Sequence, residues 1–450
     1  MSHISNLVFG NGERYPILME SKEVPDYWVT LYVTEKLRPS HTQTAIDNTI
    51  GHLVHLKLWE EINSRNLIAE FARSEFLPDE DVYSIRNHCM LDRRSLKKWL
   101  KTSSKNIVRF PSASTASITP IQTVSKDHAA NRMSHIAAFL DFTIRVLLKN
   151  KLIDEVTSQL IEKMNKELLA NKPKGNKGKG LAGDPNAKAP SPKSFERILK
   201  VVKVDSPDNP FKSMEVRFRN ALIFDVMDAT GMRAGEILGL QIGDIDFHLG
   251  AISVVRRHDA IEDPRKKQPV AKTCERRIPV SKAITDRLRD YIMDKRANIN
   301  AARKHPYVFV TNKHGKYFGK PISNSTFVNR ILKPAIAVSP ELLEEITRHG
   351  FRHNFNYKLS KRIDAINKAA KTNPEIKPIN EKMEIQLRKE LNGWQSDKTA
   401  ETYNLRHIRE EADRVMREDI DHWSKFTKSG KGCQNVLFLS RKRLKSRNST

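Results

Sequence analysis

One stretch that cannot form a core divides this chain and most constrains how it can fold. Residues 171–193 read NKPKGNKGKGLAGDPNAKAPSPK and are rich in Gly, Pro and Lys. Such a composition buries too little apolar surface to fold and behaves as a flexible tether. The chain of 450 residues leaves room for a separate core on each side of it. We therefore expect two domains joined by a basic linker at 171–193.

The residues before the linker have helical patterns. Residues 1–25 favour a short hairpin arm around Gly10-Asn11-Gly12. Apolar residues at helical spacing predict a helical domain over 26–170, and residues 101–122, rich in Ser, Thr and Pro, predict a long loop within it. The two apolar stripes are Ile46, Ile50, Val54 and Leu58, and Met133, Ile136, Leu140, Ile144 and Leu147.

The residues after the linker mix helices with a few strands. Phe218, Leu222 and Val226 predict a helix that ends near Gly231. A hairpin is predicted at 244–255, and strands are predicted at 276–280 and 307–311. The fold class is therefore mainly α with a small β-sheet (α+β).

The charge of the chain predicts a polyanionic partner. Lys and Arg number 79 against 53 acidic residues, which gives a formal net charge of +26. No apolar run is long enough to span a bilayer, and the first twenty residues lack a signal-peptide core, so we expect no membrane partner. The three cysteines are scattered, which suits a reducing cytoplasm and no structural zinc.

Four stretches carry side chains suited to chemistry on a phosphodiester. They are TGMRAGEILGL (230–240), AKTCERRIPV (271–280), RHGFRH (348–353) and LNGWQSDKTAETYNLR (391–406). Guanidinium groups stay charged and match two oxygens of a phosphate at once. A phenol ionises near pH ~10, so it needs a positive field to attack at neutral pH. The set needs neither a metal ion nor a cofactor.

These stretches resemble the catalytic boxes of the tyrosine recombinase, or phage integrase, family. Arg233 lies within the T-G-x-R-x-x-E-x-L pattern of the first box. His349 and Arg352 form the His-x-x-Arg box, and Trp394 precedes Tyr403 by nine residues in the last box. The resemblance covers about 195–409, and the boxes occur in the order typical of the family.

The resemblance implies a role for each of these residues. Tyr403 attacks the DNA phosphate and forms a 3′-phosphotyrosine, while Arg233 and Arg352 hold the phosphate oxygens. Trp394, which replaces the more common His, donates a hydrogen bond through its indole N–H. His349 assists the movement of the phenolic proton.

The general acid of the site is implied to be a lysine on the turn of a β-hairpin. Lys272 fits this position and would protonate the leaving 5′ oxygen. The stretch from Lys272 to Pro279 is about one residue shorter than is usual in the family. Lys266 and Lys267 therefore remain alternative candidates.

The resemblance also implies how the domains act. Residues 26–170 would be the core-binding domain and 194–410 the catalytic domain, which together clamp DNA. Residues 411–450 would form a C-terminal helix and a basic tail. The stretch 365–382 is longer than the family usually has before its tyrosine box.

The function that follows is site-specific recombination of double-stranded DNA. A homo-tetramer would act on two duplexes through a Holliday junction, in the cytoplasm at the nucleoid, to integrate or excise a mobile element. An accessory directionality factor is a further expected partner. Two alternatives remain: a type IB topoisomerase-like or resolvase enzyme, and a catalytically inactive DNA-binding relative.

Overall fold

Helices make up most of the described part of the chain, which also contains two small antiparallel sheets. The computed structural model describes residues 2–20, 23–103, 121–149, 151, 154–175, 190–397, 400, 412–417 and 419. The chain divides into two units. The first comprises Met1–Gly183 with Asp259–Gln268, and the second comprises Asp184–His258 with Pro269–Thr450. The expected α+β class is confirmed.

The first unit begins with the predicted hairpin. Strands β1 (His3–Val8) and β2 (Arg14–Met19) pair antiparallel, with His3 opposite Met19. Gly12 lies in the turn with φ +88°, and a Cβ there would come within 2.2 Å of the Asp259 carbonyl oxygen. Only glycine therefore fits at this position.

Seven helices follow in the described residues of the first unit, and the longest begin at polar caps. The side chains of Thr42, Ser125 and Asp154 each accept a hydrogen bond from a backbone N–H in the first turn of the helix that follows them. The bounds are α1 (Tyr27–Tyr32, continued by a π-helical turn, Val33–Leu37), α2 (Gln43–Asn63), α3 (Leu67–Ala72), α4 (Asp79–Cys89), α5 (Arg93–Ser103), α6 (Lys126–Leu147) and α7 (Glu155–Ala170).

The two predicted apolar stripes lie in the core of this unit. Ile50 of α2 and Met133, Ile136 and Leu140 of α6 are fully buried. Leu147, at the end of α6, is only partly buried against the same core. Hydrophobic burial along α2 and α6 thus holds the helices of the first unit together.

Segment 259–268 folds with the first unit although it lies far along the chain. The Arg14 guanidinium, 1% exposed, donates to the carbonyl oxygens of Asp263 at 2.7 Å and Arg265 at 3.1 Å. The Asp263 carboxylate in turn pairs with the Arg265 guanidinium at 2.7 Å. A buried arginine therefore fixes a segment that we expected within the 194–410 domain.

The second unit holds a three-stranded antiparallel sheet. Strands β3 (Ile245–Asp246), β4 (Ala251–Val254) and β5 (Arg276–Pro279) lie in that order, and Val254 pairs with Arg276. The predicted hairpin and the strand after it are confirmed.

Helices surround this sheet and form the larger core. Helix α9 lies at its centre, with Leu222, Ile223 and Phe224 fully buried, and Phe351 packs on Phe224 with ring centres 5.6 Å apart. The bounds are α8 (Pro192–Val201), α9 (Met214–Thr230), α10 (Ala234–Leu238), α11 (Lys282–Asp290, continued by a π-helical segment, Tyr291–Arg296), α12 (Asn324–Thr326, continued through a π-helical segment, Phe327–Leu332), α13 (Lys333–Ile336), α14 (Pro340–Leu343), α15 (Gly350–Ala370) and α16 (Glu381–Asn392).

One local prediction for this unit is wrong. Residues 307–311 do not form a strand, because Tyr307 and Val310 make only isolated bridges, to Gln241 and Pro321. Their burial, rather than strand pairing, explains their apolar character. Within the long stretch 365–382, whose structure the sequence left open, α15 continues to Ala370 and α16 starts at Glu381.

Several expectations concern residues beyond those described. Most of the linker 171–193, the loop 101–122 and the C-terminal part 411–450 lie outside the described residues, as does Tyr403. None of the helices within the described ranges is long and apolar enough to cross a membrane.

Candidate active site

Arg233 lies at the turn between α9 and α10. Gly231 ends α9 in the left-handed region at φ +61°, and a Cβ there would lie 2.7 Å from the Phe355 ring. The Arg233 N–H donates to Glu236 Oε2 at 3.0 Å, and its Nη1 lies 3.4 Å from Oε1. Glu236 therefore supports both the backbone and the side chain of Arg233. The Arg233 side chain remains 23% exposed, so it is accessible from solvent.

Arg352, in the first turn of α15, joins two other stretches of the site. Its guanidinium donates to the carbonyl oxygen of Gly231 at 3.2 Å and to that of Asn392. It also lies over the Trp394 ring, 5.0 Å from the ring centre. Only 1% of Arg352 is exposed. Its charge therefore acts from beneath the surface, between the turn that bears Arg233 and the turn that bears Trp394.

The turn after α16 brings Trp394 to the Lys272 stretch. Gly393 has φ +65°, and its carbonyl oxygen accepts from the Cys274 N–H at 3.0 Å. A Cβ on Gly393 would lie 2.7 Å from the Cys274 carbonyl oxygen. Glycine is therefore required both by the positive φ and by this close approach. Trp394 itself is 7% exposed. Gly393 thus ends α16 and also lets two chain segments come into contact.

Lys272 is exposed and directly precedes a buried polar cluster. The Thr273 hydroxyl donates to Glu236 Oε1 at 2.7 Å, and Arg276 Nη2 donates to Glu236 Oε2 at 2.8 Å. Arg276 Nη1 donates to the Thr273 hydroxyl at 2.8 Å, and its Nε to the Leu391 carbonyl oxygen at 2.9 Å. The cluster thus ties the Lys272 stretch to α10 on one side and to the end of α16 on the other.

The charge of Glu236 is stabilised within this cluster. Burial alone would raise the pKa of the Glu236 carboxyl group. The charge and hydrogen bond of Arg276, the charge of Arg352 and the hydrogen bond from Thr273 outweigh that effect and leave the pKa below its usual value. Glu236 is therefore an anion that binds neighbouring cations and the Lys272 stretch.

His349 precedes α15 and is exposed at the surface of the site. Desolvation lowers the pKa of its imidazole, and the positive charges of Arg233, Arg348, Arg352 and Lys272 lower it further. Cations from the first three of the four stretches therefore lower the pKa of the His349 imidazole. A lowered pKa keeps this imidazole neutral near pH 7, so it can accept a proton.

The structure distinguishes between the three lysines that are candidates for the general acid. Lys266 and Lys267 belong to the first unit, where Lys267 pairs with Asp47 at 2.7 Å and the Lys266 carbonyl accepts from Gln43 at 2.8 Å. Lys272 belongs to the second unit with the other candidate residues. Of the three, Lys272 is therefore the one that the fold brings into the site.

Sequence reasoning missed the residues that hold these side chains in place. Thr273 and Arg276 were not singled out, although each contacts a candidate stretch. One signal was available: Arg276 shares the inward face of β5 with Ile278, where an apolar residue is expected. A charged residue at an inward strand position indicates a buried partner.

No group of three or more His, Cys, Asp or Glu side chains within the described ranges is arranged to hold a metal ion.

The comparisons with known proteins agree on one family. Residues 192–370 match the Phage integrase family. The chain is 26% identical over 176 residues to tyrosine recombinase XerD of Halalkalibacterium halodurans, a match that covers 38% of this chain and 52% of the relative. The match to tyrosine recombinase XerC of the same organism is 25% identical over 273 residues and covers 59% of this chain and 74% of the relative.

The chain thus spans about half the length of the XerD relatives it matches. Among solved structures, that of the Tn1549 transposon integrase in complex with circular intermediate DNA aligns with a TM-score of 0.42 and 13% identity, covering 86% of this chain and 98% of that one.

The family match spans α8 to α15, and so includes the turn that bears Arg233, the Lys272 stretch and the His349–Arg352 pair. Through residues 192–370, the chain is therefore similar to the phage integrase family, and the curated relatives that it matches are tyrosine recombinases.

Proposed function

We propose that this protein is a site-specific DNA recombinase that cleaves and rejoins double-stranded DNA through a 3′-phosphotyrosine. One observation carries the proposal: the fold brings three cationic stretches together, because Glu236 accepts hydrogen bonds from Arg233 and from Thr273, next to Lys272, and Arg352 donates to the carbonyl oxygen of Gly231 in the turn that bears Arg233. Such a concentration of positive charge is what a phosphodiester in transfer requires, because negative charge builds on its non-bridging oxygens. The net charge of +26 fits the same polyanionic substrate.

In the proposed step, the phenolic oxygen of Tyr403 forms a bond to the scissile phosphorus while the bond from phosphorus to the 5′ oxygen breaks. The phenolic proton passes to the neutral imidazole of His349. Lys272 gives a proton to the leaving 5′ oxygen, so the products are a phosphotyrosine and a 5′ hydroxyl. Attack of a partner strand's 5′ hydroxyl on the phosphotyrosine reverses the bond changes and exchanges the strands. No ATP is needed, because the phosphodiester bond energy is kept in the covalent link.

The two arginines have different tasks in this proposal. Arg233, which is partly exposed, contacts a non-bridging phosphate oxygen directly. Arg352 is buried, and it supplies charge from beneath while holding the carbonyl groups of Gly231 and Asn392. Trp394 packs on Arg352 and fixes its orientation.

The first unit is proposed to bind the duplex as a core-binding domain. Helix α5 reads RRSLKKWLKTS and contains five cationic residues and no acidic one. Arg94 and Lys98 are exposed on it. Cationic side chains at the surface of one helix suit contacts with successive phosphates. The whole assembly would be a homo-tetramer on two duplexes that integrates or excises a mobile element at the nucleoid, with an accessory directionality factor.

A nicked DNA substrate tests the central step. When cleavage releases a short fragment, the covalent complex cannot religate and migrates as a shifted band in a denaturing gel. We expect this band with the full chain and its loss in Tyr403→Phe. A band that persists in the Phe variant would remove Tyr403 as the nucleophile, and no band with the unchanged chain would favour the inactive relative.

The same preparation separates recombination from topoisomerase-like activity. A recombinase acting on two copies of its site gives four-way junctions and exchanged products. Supercoil relaxation at many sequences, without four-way junctions, would contradict recombination and favour the topoisomerase-like enzyme.

A further inference from the structure

We propose that Arg276 is a positioning residue that sets the place of Lys272, and that it acts through Thr273 and Glu236. The inference rests on the proposed function, since it concerns the proton given to the leaving 5′ oxygen. Arg276 lies in β5 and faces the interior, four residues after Lys272. It therefore serves the reaction without touching the substrate.

The bonds of Arg276 run in three directions to three different parts of the unit. Its Nη2 reaches Glu236 in α10, its Nη1 reaches Thr273, and its Nε reaches the carbonyl oxygen of Leu391. The planar guanidinium presents donors in a fixed fork, so these three acceptors define one orientation of the group. A lysine ammonium has the same charge but cannot reproduce this geometry.

The partners of Arg276 lie next to the residues that the reaction needs. Thr273 follows Lys272 directly, and Glu236 also accepts the backbone N–H of Arg233. Glu236 therefore fixes the position of Lys272 relative to that of Arg233. Because the side chains of Arg276 and Glu236 are each only 1% exposed, water cannot easily replace either partner.

The adjacent residue in the strand provides a matched comparison. Arg277 points the opposite way, is half exposed and pairs with Asp246 at 2.9 Å. It has the same charge in the same strand, but its guanidinium donates to Asp246 and not to the cluster around Glu236. Replacing Arg277 therefore tests for a loss of charge or of strand stability without disturbing the cluster around Glu236.

A substrate with sulfur in place of the bridging 5′ oxygen isolates the role of Lys272. On the ordinary substrate, the bond from phosphorus to the 5′ oxygen breaks and that oxygen must receive a proton. On the sulfur substrate, the bond from phosphorus to sulfur breaks and a thiolate leaves. Since thiols ionise near pH ~8.5, this leaving group does not need the general acid. If a variant only misplaces Lys272, the sulfur substrate therefore restores its rate of covalent-complex formation.

The experiment compares Arg276→Gln, Thr273→Val, Arg277→Gln and Lys272→Ala in the full chain by their rates of covalent-complex formation. A general acid typically contributes about 100- to 10,000-fold. On the ordinary substrate we therefore expect losses of about 100-fold or more for Lys272→Ala and Arg276→Gln, and about 10-fold for Thr273→Val. On the sulfur substrate each loss shrinks to less than about 10-fold, and Arg277→Gln behaves as the unchanged protein on both.

Equal losses on both substrates for Arg276→Gln and Thr273→Val would overturn the proposal, because the cluster would then support the fold or the tyrosine but not Lys272. Thr273→Val keeps the shape of the side chain and removes only its hydroxyl, so it carries the test if Arg276→Gln does not fold. A failure of the proposed function looks different: the unchanged protein would form no covalent complex on either substrate.

Discussion

The guanidinium of Arg352 lies over the face of Trp394, 5.0 Å from the ring centre, and both side chains are buried. The same guanidinium donates to the carbonyl oxygens of Gly231 and Asn392. Trp394 therefore covers a cation that joins two turns of the site. Its contact with Arg352 gives the indole a structural task besides the hydrogen bond to phosphate that the family resemblance implies.

Replacing Trp394 separates these two tasks. Trp394→Phe keeps an aromatic face for Arg352, whereas Trp394→Ala removes it. A desolvated cation–π contact contributes about 2 kcal/mol, so the Ala variant should form the covalent complex roughly 30-fold more slowly. We expect the Phe variant to retain most of the rate on nicked DNA. Equal losses in both variants would instead assign the main role to the indole N–H.

Glu236→Gln removes the anion from the buried cluster but keeps the size of the side chain. Breaking a buried ion pair typically costs about 3–5 kcal/mol, because the remaining charge of Arg276 is left uncompensated. We expect the urea midpoint of the second unit to fall accordingly. Glu344→Gln, at an exposed position, serves as the control and should leave the midpoint unchanged. A stability loss below about 1 kcal/mol in Glu236→Gln would contradict the assigned pair.

The stabilising effect of Glu236 should also depend on pH. Its pKa is lower in the folded chain than in the unfolded chain, where a glutamate titrates near ~4.3. The contribution is therefore complete above this pH and is lost as the pH falls through the folded value. In a comparison of urea midpoints, the difference between the unchanged protein and Glu236→Gln should shrink on acidification below pH ~4. A constant difference would show that Glu236 does not titrate as assigned.

Buried histidines should make the first unit sensitive to acid. Burial between α2, α4 and α6, together with the charge of Arg132, lowers the pKa of His52 to about 3, of His55 to about 2 and of His88 to about 4. These histidines ordinarily titrate at 6.5, so the unfolded chain binds more protons below that pH. Stability should therefore fall as the pH drops from 6.5 towards 4.

Hydrogen exchange of the α2 and α6 amides in the full chain measures this acid sensitivity. His55→Gln removes one titrating group and should flatten the pH dependence, whereas His3→Gln, at an exposed position, should not. Exchange protection that stays constant between pH 6.5 and 4 would mean that these histidines titrate as in the unfolded chain.

Arg14→Met should release segment 259–268 from the first unit. The variant removes donors to the carbonyl oxygens of Asp263 and Arg265 while keeping an unbranched apolar side chain. Hydrogen bonds from a charged donor are worth about 1.5–3 kcal/mol, which predicts a roughly 10- to 100-fold increase in local opening. Limited trypsin digestion reports the change, because Arg265, Lys266 and Lys267 provide cleavage sites.

Arg38→Met is the control for Arg14, because Arg38 pairs with Glu13 at the surface and does not contact the segment. Cleavage at 265–267 that is equally slow in the unchanged protein and in Arg14→Met would contradict the role of Arg14 as the anchor of this segment.

Binding to double-stranded DNA should weaken strongly with salt. The logarithm of affinity should fall with the logarithm of salt at roughly −0.9 per neutralised phosphate. Arg94→Ala, in α5, should reduce this slope by about one contact. Arg145→Ala, whose guanidinium already pairs with Asp141 in α6, is the control. A slope near zero for the unchanged chain would mean that its positive charge does not act on DNA.

Features that depend on neighbouring residues followed from the sequence. The stripes of α2 and α6 and the end of α9 at Gly231 are where the apolar spacing and the glycine indicated. Helix periodicity and helix caps depend on residues that lie close together in the sequence, so the sequence alone indicates them.

The tertiary structure alone decided the partners of the buried charges. Arg276 meets Glu236 across 40 positions and Leu391 across 115, and Arg352 meets Gly231 across 121. It likewise decided that segment 259–268 folds with the first unit and that Lys272 joins the other candidate residues. The physical reason is that a buried charge needs a partner of opposite charge or a hydrogen-bond acceptor. The fold can bring that partner from any part of the chain, so spacing in the sequence does not identify it.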